Sequence, residues 1–288
     1  MCPTTINSTK DMMACFRNAS ASNLNSNANT LWNEIYTGGD AFNQFPIAPV
    51  IEINHPDAFM SESNWVNLKY GYFQRVPVII GTTCLEGNFL QSTTLAQYSA
   101  KTTVACGLTP WDMNINNNIT ACQVDLILRQ KYFTSNTNYT AQVQKFVGDV
   151  LFHKATVKAA KLLCPYTMPV FYYRFCFPNT DAGHGSDTPY TFCTASDFAN
   201  DTASQTTCQT MMSMWANFAK YRNPIYPNDT NPLLNNVSWS PMDNSNCSNL
   251  VYLNISITMN TASNPDDEII QMWDWLYDFY GQLNYTTY

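Results

Sequence analysis

Three short apolar runs, separated by long helical patterns, constrain the fold of this chain most strongly. They are VPVIIG at 76–81, PVFYYRF at 169–175 and LVYLNI at 250–255. Continuous apolar runs of this length are typical of strands that are buried on both faces. Strands that alternate with helices favour a mainly parallel sheet flanked by helices, so the predicted fold class is α/β.

The segments between these runs show apolar residues at helical spacing, which predicts helices. Residues 146–163 and 210–221 repeat apolar side chains at helical spacing, and a last helix is expected after Asn264, which can cap it, and Pro265, which suits its first turn. The Asn-rich segment 21–45 is interpreted as a surface loop with one helical turn around its tryptophan. The expected buried stripe of the last helix consists of Ile269, Met272, Trp273, Leu276 and Phe279.

The composition is that of an acidic globular protein. The 288 residues are 45% hydrophobic and 12% charged, and the formal net charge is −7. An acidic chain is repelled by nucleic-acid phosphates and by anionic lipid surfaces, so neither is expected as a partner. No stretch reaches the ~18 apolar residues of a membrane span, so no integral membrane segment is predicted.

The cysteines and the N-x-[ST] sequons predict folding in the secretory pathway. The ten cysteines form no CxxC pair and have no histidine at zinc-binding spacing, so no metal site and no cofactor are expected. Disulfides are the better interpretation, and the sequons agree with an oxidising compartment and a secreted glycoprotein. The candidate glycosylation sites are Asn7, Asn18, Asn118, Asn138, Asn200, Asn228, Asn236, Asn246, Asn254 and Asn284.

The amino terminus does not match a secreted protein. MCPTTINSTKDMMACF has neither the basic region nor the apolar run of a signal peptide. We therefore expect the chain to begin within a longer polypeptide. No internal repeat and no linker divide it, so residues 1–288 are predicted to form part of a single domain.

Two turns carry residues suited to acyl-transfer chemistry. Glu86 follows the first apolar run, and His184 follows the second in the segment DAGHGSDTPYTF. Catalytic groups of parallel α/β sheets collect beyond the carboxyl ends of the strands. A carboxylate and an imidazole placed there can act as the orienting group and the general base.

Several segments resemble type-B carboxylesterases and cholinesterases, in the order of that family. GTTCLEGNFL resembles the segment that carries the acid, although Leu85 replaces the usual acidic residue before Glu86. GHGSDTPYTF resembles the histidine segment. MWANFAKYRNPIYPND with SWSP, CPTTINSTKDMMACFR and FPIAPVIEINHPDAFM resemble further landmarks. The matches extend from residue 2 to about residue 280.

The resemblance implies an incomplete α/β-hydrolase fold, namely the carboxyl-terminal part of the sheet without the half that carries the nucleophile. Glu86 and His184 would be two members of a Ser-His-Glu triad, and Asp187 would order the histidine loop. The chain contains no G-x-S-x-G elbow, so the serine and the oxyanion donors are expected upstream of Met1. The full-length parent would hydrolyse small-molecule carboxylic esters, whereas this chain without its amino-terminal half would not.

The resemblance also implies a disulfide between Cys2 and Cys15. Sequence separation favours a second one between Cys106 and Cys122, and the other pairings stay open. Cys164 needs a partner other than the family's usual one, because the last helix lacks a cysteine.

Several alternatives remain at this point. The same family includes neuroligin-like and glutactin-like adhesion or structural proteins, which keep the fold without the serine. Cys84 is a rival nucleophile, although a bridged or buried cysteine is the favoured interpretation. Ser186 is too close to His184 in sequence to serve as its nucleophile. His55 and His153 are interpreted as surface or hydrogen-bonded loop residues.

Overall fold

A computed structural model describes residues 8–37, 49–89, 96, 99–100, 102–134, 138–166, 169–194 and 196–281. Its strands are β1 (Val78–Thr83), β2 (Val170–Phe175), β3 (Val251–Ile255) and β4 (Asn260–Ser263). Its α-helices are Thr9–Asn18, Ala21–Thr37, Asn64–Tyr70, Asn118–Tyr132, Tyr139–Gly148, Lys154–Leu163, Thr188–Thr191, Thr202–Tyr221 and Asp267–Tyr280. No described helix is long and apolar enough to cross a membrane.

The four strands form one mixed, mostly parallel sheet in the order β1-β2-β3-β4. Parallel pairs align Val78 with Val170 and Tyr172 with Tyr252, whereas β3 and β4 are antiparallel. The predicted α/β class and the three apolar strands are confirmed. β4 was not predicted, because its sequence NTAS is polar and most of its side chains are exposed at the edge of the sheet.

Two of the predicted helices differ in extent from the observed ones. The segment 146–163 is interrupted by the π-helical residues Asp149–His153, which we call the π turn, and its helix begins earlier, at Tyr139. The predicted helix 210–221 is only the second half of a helix that begins at Thr202. In that helix the Asp201 carboxylate accepts from the amides of the first turn, a cap that lies outside the apolar pattern.

The loop predicted for 21–45 is wrong over its first part, where the helix Ala21–Thr37 forms. The Ser20 hydroxyl accepts from the Asn23 amide, and the Asn27 side chain donates to the Asn23 carbonyl. Asparagine is an unfavourable residue inside a helix because its side chain competes for backbone groups, which is why the composition of this segment predicts a loop. Residues 38–48 lie outside the described part of the chain.

The cap and part of the buried stripe predicted for the last helix are also wrong. Asn264 instead accepts from the Leu250 amide, and Asp266, in a left-handed conformation with φ of 53°, occupies the N-cap position. Phe279 is 68% exposed, whereas Tyr277 is buried. The buried face is therefore shifted toward Ile270 and Tyr277 and away from Phe279. Trp273 and Leu276 are buried as expected, Ile269 and Met272 pack partly buried against the core, and Ile270 is buried in addition.

Apolar clusters cover the two faces of the sheet. One cluster packs Phe171 and Met214 against Trp239, and another packs Tyr172 with Val157 and Ile270. A further cluster packs the helices together around Phe146 and Trp273. Burial of such large aromatic side chains supplies most of the driving force for folding. The packing fixes the positions of the strand ends that carry the candidate site.

Disulfides connect distant parts of the described chain. The predicted bond between Cys106 and Cys122 is present. Cys15 is disulfide-bonded, while the prediction that pairs it with Cys2 involves a residue outside the described part. The other described bonds are Cys84–Cys176, Cys164–Cys247 and Cys193–Cys208.

Most candidate glycosylation sites are accessible in the structure. Asn254 is the exception, because it lies half-buried in β3, and Asn7 and Asn284 lie outside the described residues. The exposed asparagines are Asn18, Asn118, Asn138, Asn200, Asn228, Asn236 and Asn246.

Candidate active site

The candidate site residues lie in two turns at the carboxyl ends of β1 and β2. Glu86 opens a short 3₁₀ turn after β1, and His184 lies in the loop after β2. Parallel pairing continues beyond the strands, because the Leu85 amide donates to the Ala182 carbonyl and Leu85 forms a bridge with Gly183. The two turns therefore lie side by side at the same edge of the sheet.

His184 and Glu86 are in direct contact. Nδ1 of His184 lies 2.7 Å from Oε2 of Glu86, and Oε1 of Glu86 accepts from the Thr83 amide at 2.6 Å. An ionised carboxylate only accepts, so the imidazole proton belongs on Nδ1, and Nε2 has a free lone pair. The side chain of Glu86 is 9% exposed and that of His184 is 48% exposed. In this arrangement a buried carboxylate can orient an accessible imidazole, which can then act as a general base.

Covalent and polar links hold the two turns together. Cys84 and Cys176, which directly follow β1 and β2, form a disulfide. The Asn88 side chain donates to the Asp181 carbonyl at 3.0 Å and accepts from the Gln144 side chain at 3.1 Å. The position of the imidazole relative to the carboxylate is thus set by several independent contacts.

An aromatic ring covers one face of the imidazole. Phe152, in the π turn, stacks on His184 with ring centroids 4.4 Å apart and an interplanar angle of 30°. Phe89 meets His184 edge-on at 5.7 Å and Phe152 edge-on at 6.0 Å. Neither phenylalanine was singled out from the sequence.

Two glycines allow the π turn to come this close. A Cβ atom on Gly148 would lie 2.8 Å from the amide nitrogen of Gly87, and one on Gly87 would lie 1.9 Å from the Gln144 carbonyl oxygen. Both distances are below any tolerated contact, so only glycine fits at these positions. The backbone contact brings the helical segment directly against the turn that carries Glu86.

Asp187 contacts groups within its own loop and on β2. Its carboxylate accepts from the Tyr173 hydroxyl at 2.7 Å, and its carbonyl accepts from the Tyr190 amide and the Thr191 hydroxyl. Burial of Tyr173 and the adjacent negative charge raise the pKa of Tyr173, so the phenol stays a donor. These contacts support a role in ordering the histidine loop.

The interpretation of His153 as a surface or loop residue is wrong. His153 is buried in the π turn, with Nδ1 3.4 Å from the Thr82 hydroxyl and Nε2 3.5 Å from an Asp266 oxygen. Burial, together with the positive charges of Lys145 and Arg174, lowers the pKa of His153 to about 3. His153 is therefore neutral at physiological pH.

His153 belongs to a network of charges next to Glu86. Lys145 contacts Asp149 at 2.8 Å and Asp266 at 3.1 Å, and Arg174 contacts Asp266 at 2.9 Å. Burial raises the pKa of Asp149 against the opposing effect of Lys145. Burial also opposes ionisation of Asp266, but Lys145 and Arg174 outweigh it and lower its pKa.

The same network contains residue types that can bind a metal. Oxygen and nitrogen atoms of Asp149, His153 and Asp266 lie within 4.8 Å of one another. However, Lys145 and Arg174 already neutralise the two carboxylates, and a divalent cation would have to displace them. This donor set therefore fits an internal ion-pair network better than a metal centre.

The structure also decides among the rival groups. Cys84 is bonded to Cys176, so it has no thiolate to serve as a nucleophile. The Ser186 hydroxyl donates to the Gly183 carbonyl within its own turn. His55 is an exposed loop residue that accepts from the Asp57 amide, as its interpretation stated.

Comparisons with known proteins agree with this architecture. The model of the carboxylesterase family matches residues 1–273. Juvenile hormone esterase from Manduca sexta, solved with OTFP covalently attached, is 18% identical with a TM-score of 0.72, over 96% of this chain and 54% of that chain. Comparison with curated proteins gives no match.

Two further esterase structures are similar. A PNB esterase is 18% identical with a TM-score of 0.51, over 72% of this chain and 40% of that chain. A thermophilic PNB esterase is 19% identical with a TM-score of 0.59, over 89% of this chain and 49% of that chain. The chain thus spans about half the length of these esterases, and the likeness is one of fold. Because the family model matches residues 1–273 of 288, the chain belongs to the carboxylesterase family and has part of an α/β-hydrolase fold.

Proposed function

We propose that this chain supplies the general base and the orienting acid of a carboxylic-ester hydrolase with a Ser-His-Glu mechanism. The observation that carries the proposal is the 2.7 Å contact between His184 Nδ1 and Glu86 Oε2. The carboxylate keeps the imidazole in the tautomer with a free Nε2 lone pair and stabilises the imidazolium that forms during the reaction. Membership of the carboxylesterase family supports the same reaction class.

The nucleophile in this proposal comes from polypeptide outside these 288 residues. No G-x-S-x-G segment occurs in the sequence, so a serine at such an elbow belongs to an upstream part of a longer protein. His184 Nε2 accepts the serine proton as the hydroxyl attacks the ester carbonyl, and then donates it to the leaving alcohol. Water releases the acid from the acyl-enzyme by the same base. The chain alone has no esterase activity.

The experiment is to read the transcript upstream of Met1 and to express the longer polypeptide with the 288-residue chain as a comparison. Hydrolysis of p-nitrophenyl acetate is expected for the longer polypeptide only. His184→Asn lowers its kcat/KM by about 10⁴-fold or more. His55→Asn is the matched control, because His55 is exposed in another loop, and it leaves the rate unchanged.

Two results would overturn the proposal. An upstream elbow with Gly or Ala in place of Ser would assign the chain to the adhesion or structural members of its family. An active longer polypeptide whose kcat/KM is insensitive to His184→Asn would show that another group is the base.

The proposal includes secretion and glycosylation. The described disulfides and the exposed sequon asparagines support folding in an oxidising compartment. Expression of the longer polypeptide in a secretory host tests this, because removal of N-linked glycans then increases its gel mobility. A secreted product whose mobility does not change would contradict the glycosylation.

A further inference from the structure

Phe152 lies where it can act on the charge of His184. Its ring is stacked on the imidazole with centroids 4.4 Å apart, within the ~6 Å over which a cation is attracted to an aromatic face. Phe89 packs beside the two stacked rings and makes an edge-on contact with each of them. The imidazole is therefore bounded by Glu86 at Nδ1 and by aromatic rings at one face and one edge.

The π turn determines the direction of the Phe152 side chain. A π turn inserts one residue into a helix and changes the direction of the side chains that follow, and such turns often occur at functional sites. Here the π turn begins directly after Gly148, the residue that touches Gly87 beside Glu86. A regular helix with a larger residue at position 148 would hold the ring of Phe152 elsewhere.

Glu86 is a charged group that can stabilise the protonated form of His184, and the neighbouring charged residues are paired elsewhere. Among the described residues, Glu86 is the charged side chain that contacts the imidazole. Asp187, in the same loop, is bonded to the Tyr173 hydroxyl. Lys145 and Asp149 precede Phe152 on its own helical segment and are paired with each other.

We propose that Phe152 is a positioning residue for His184, which holds the imidazole against Glu86 and stabilises its protonated form through the face of the aromatic ring. The inference deepens the proposed function, on which it rests for the role of the imidazolium. During acyl transfer the imidazolium exists between uptake of the serine proton and its delivery to the alcohol. A ring that attracts a cation favours that state over neutral imidazole.

The experiment measures protonation of His184 in the 288-residue chain without ester hydrolysis. Diethyl pyrocarbonate modifies neutral imidazole, and mass spectrometry quantifies the rate at His184 relative to the exposed His55 in the same molecule. Replacement of Phe152 by pentafluorophenylalanine keeps the shape of the ring but reverses the electrostatics of its face. We expect the pH profile of His184 modification to move to lower pH, so that the relative rate in acidic buffer rises about two- to five-fold.

Further variants separate the electrostatic effect from packing. Phe152→Leu is expected to give a shift in the same direction, and Phe152→Tyr, which keeps an electron-rich ring, is expected to preserve the wild-type profile. Phe192→Leu is the matched control, because Phe192 is 85% exposed and no ring contact joins it to His184. Circular dichroism establishes that each variant is folded.

An unchanged profile in the pentafluorophenylalanine chain would overturn the inference, even if Phe152→Leu had an effect, because packing alone would then explain the contact. The result is independent of the proposed function. A longer polypeptide without esterase activity, combined with a shifted profile, would refute the function and leave the role of Phe152 intact.

Discussion

The chain contains two buried or half-buried histidines that each face a carboxylate, and their surroundings give them opposite properties. His184 is 48% exposed and lies 2.7 Å from Glu86. His153 has a side chain only 5% exposed, and it lies 3.5 Å from Asp266 with Lys145 and Arg174 at the same carboxylate. The first imidazole is accessible and pairs with its carboxylate alone among the described charged groups, whereas the second is buried and stays neutral.

The difference teaches that proximity to a carboxylate does not by itself make a histidine a base. Burial disfavours a charged imidazole, and two nearby cations both repel it and occupy the carboxylate. These effects lower the pKa of His153 to about 3. At His184 the carboxylate has no such competitor among the described contacts, and water reaches the ring. Reactivity therefore depends on what else surrounds each pair.

The largest expected effect comes from removing the negative charge next to His184. In a longer polypeptide that carries the proposed serine, Glu86→Gln lowers kcat by about 10⁴-fold, because the amide permits the wrong imidazole tautomer. Initial rates with p-nitrophenyl acetate measure the loss. Asp197→Asn is the matched control, since Asp197 is an exposed residue of the loop after the helix Thr188–Thr191. A Glu86→Gln enzyme with wild-type kcat would show that Glu86 is not the group that orients His184.

The next effect concerns how the two regions are held together. The His184 region is crosslinked by Cys84–Cys176, which are 92 residues apart, whereas the His153 region is held by ion pairs. Cys84→Ser combined with Cys176→Ser is expected to lower the free energy of unfolding by about 4.6 kcal/mol, because a long loop regains entropy when unfolded.

Urea denaturation measures this loss, and a shorter crosslink provides the comparison. Cys193 and Cys208 are only 15 residues apart, so their double serine variant should lose about 3 kcal/mol. Equal losses, or a larger one for the short loop, would contradict loop length as the source of the difference between the two crosslinks.

A smaller loss is expected from breaking the ion pairs around His153. Asp266→Asn leaves Lys145 and Arg174 without their shared carboxylate and should lower the free energy of unfolding by roughly 2–3 kcal/mol. Asp57→Asn is the control, because the pair of Asp57 with His55 is exposed and should contribute less than about 0.5 kcal/mol. Urea denaturation of both variants tests this. Equal losses would show that burial does not increase the contribution of these ion pairs to the free energy of unfolding.

The elements that follow from local patterns could be predicted, and those that depend on contacts between segments could not. The three strands β1, β2 and β3 are visible in the sequence as apolar runs. The turns with Glu86 and His184 are visible because they follow the first two of these runs. The exposed β4 has no apolar run to reveal it. The π turn changes the helical phase within 146–163, so regular helical spacing predicts neither the burial of His153 nor the contact of Phe152 with His184. The contact of the π turn with the Glu86 turn depends on Gly87 and Gly148. These two glycines are far apart in the sequence, so no local pattern connects them.

The smallest effect is a pH dependence that separates the two histidines. Because the pKa of His153 falls from its ordinary value near 6.5 to about 3 in the folded chain, its contribution to stability is complete above pH 6.5 and is lost as pH falls toward 3. The slope approaches ~1.4 kcal/mol per pH unit within that range. Asp266, whose pKa is lowered, acts in the same direction below pH 4, and Asp149, whose pKa is raised, acts in the opposite direction.

Urea denaturation at pH 7, 6 and 5 isolates the contribution of His153. We expect the wild-type free energy of unfolding to decline over this range and the decline to be shallower in His153→Gln, because glutamine does not titrate. His55→Gln is the matched control and should keep the wild-type slope, since His55 is exposed. If His153→Gln and wild type lose stability in parallel, then His153 does titrate in the folded chain, and the contrast with His184 disappears.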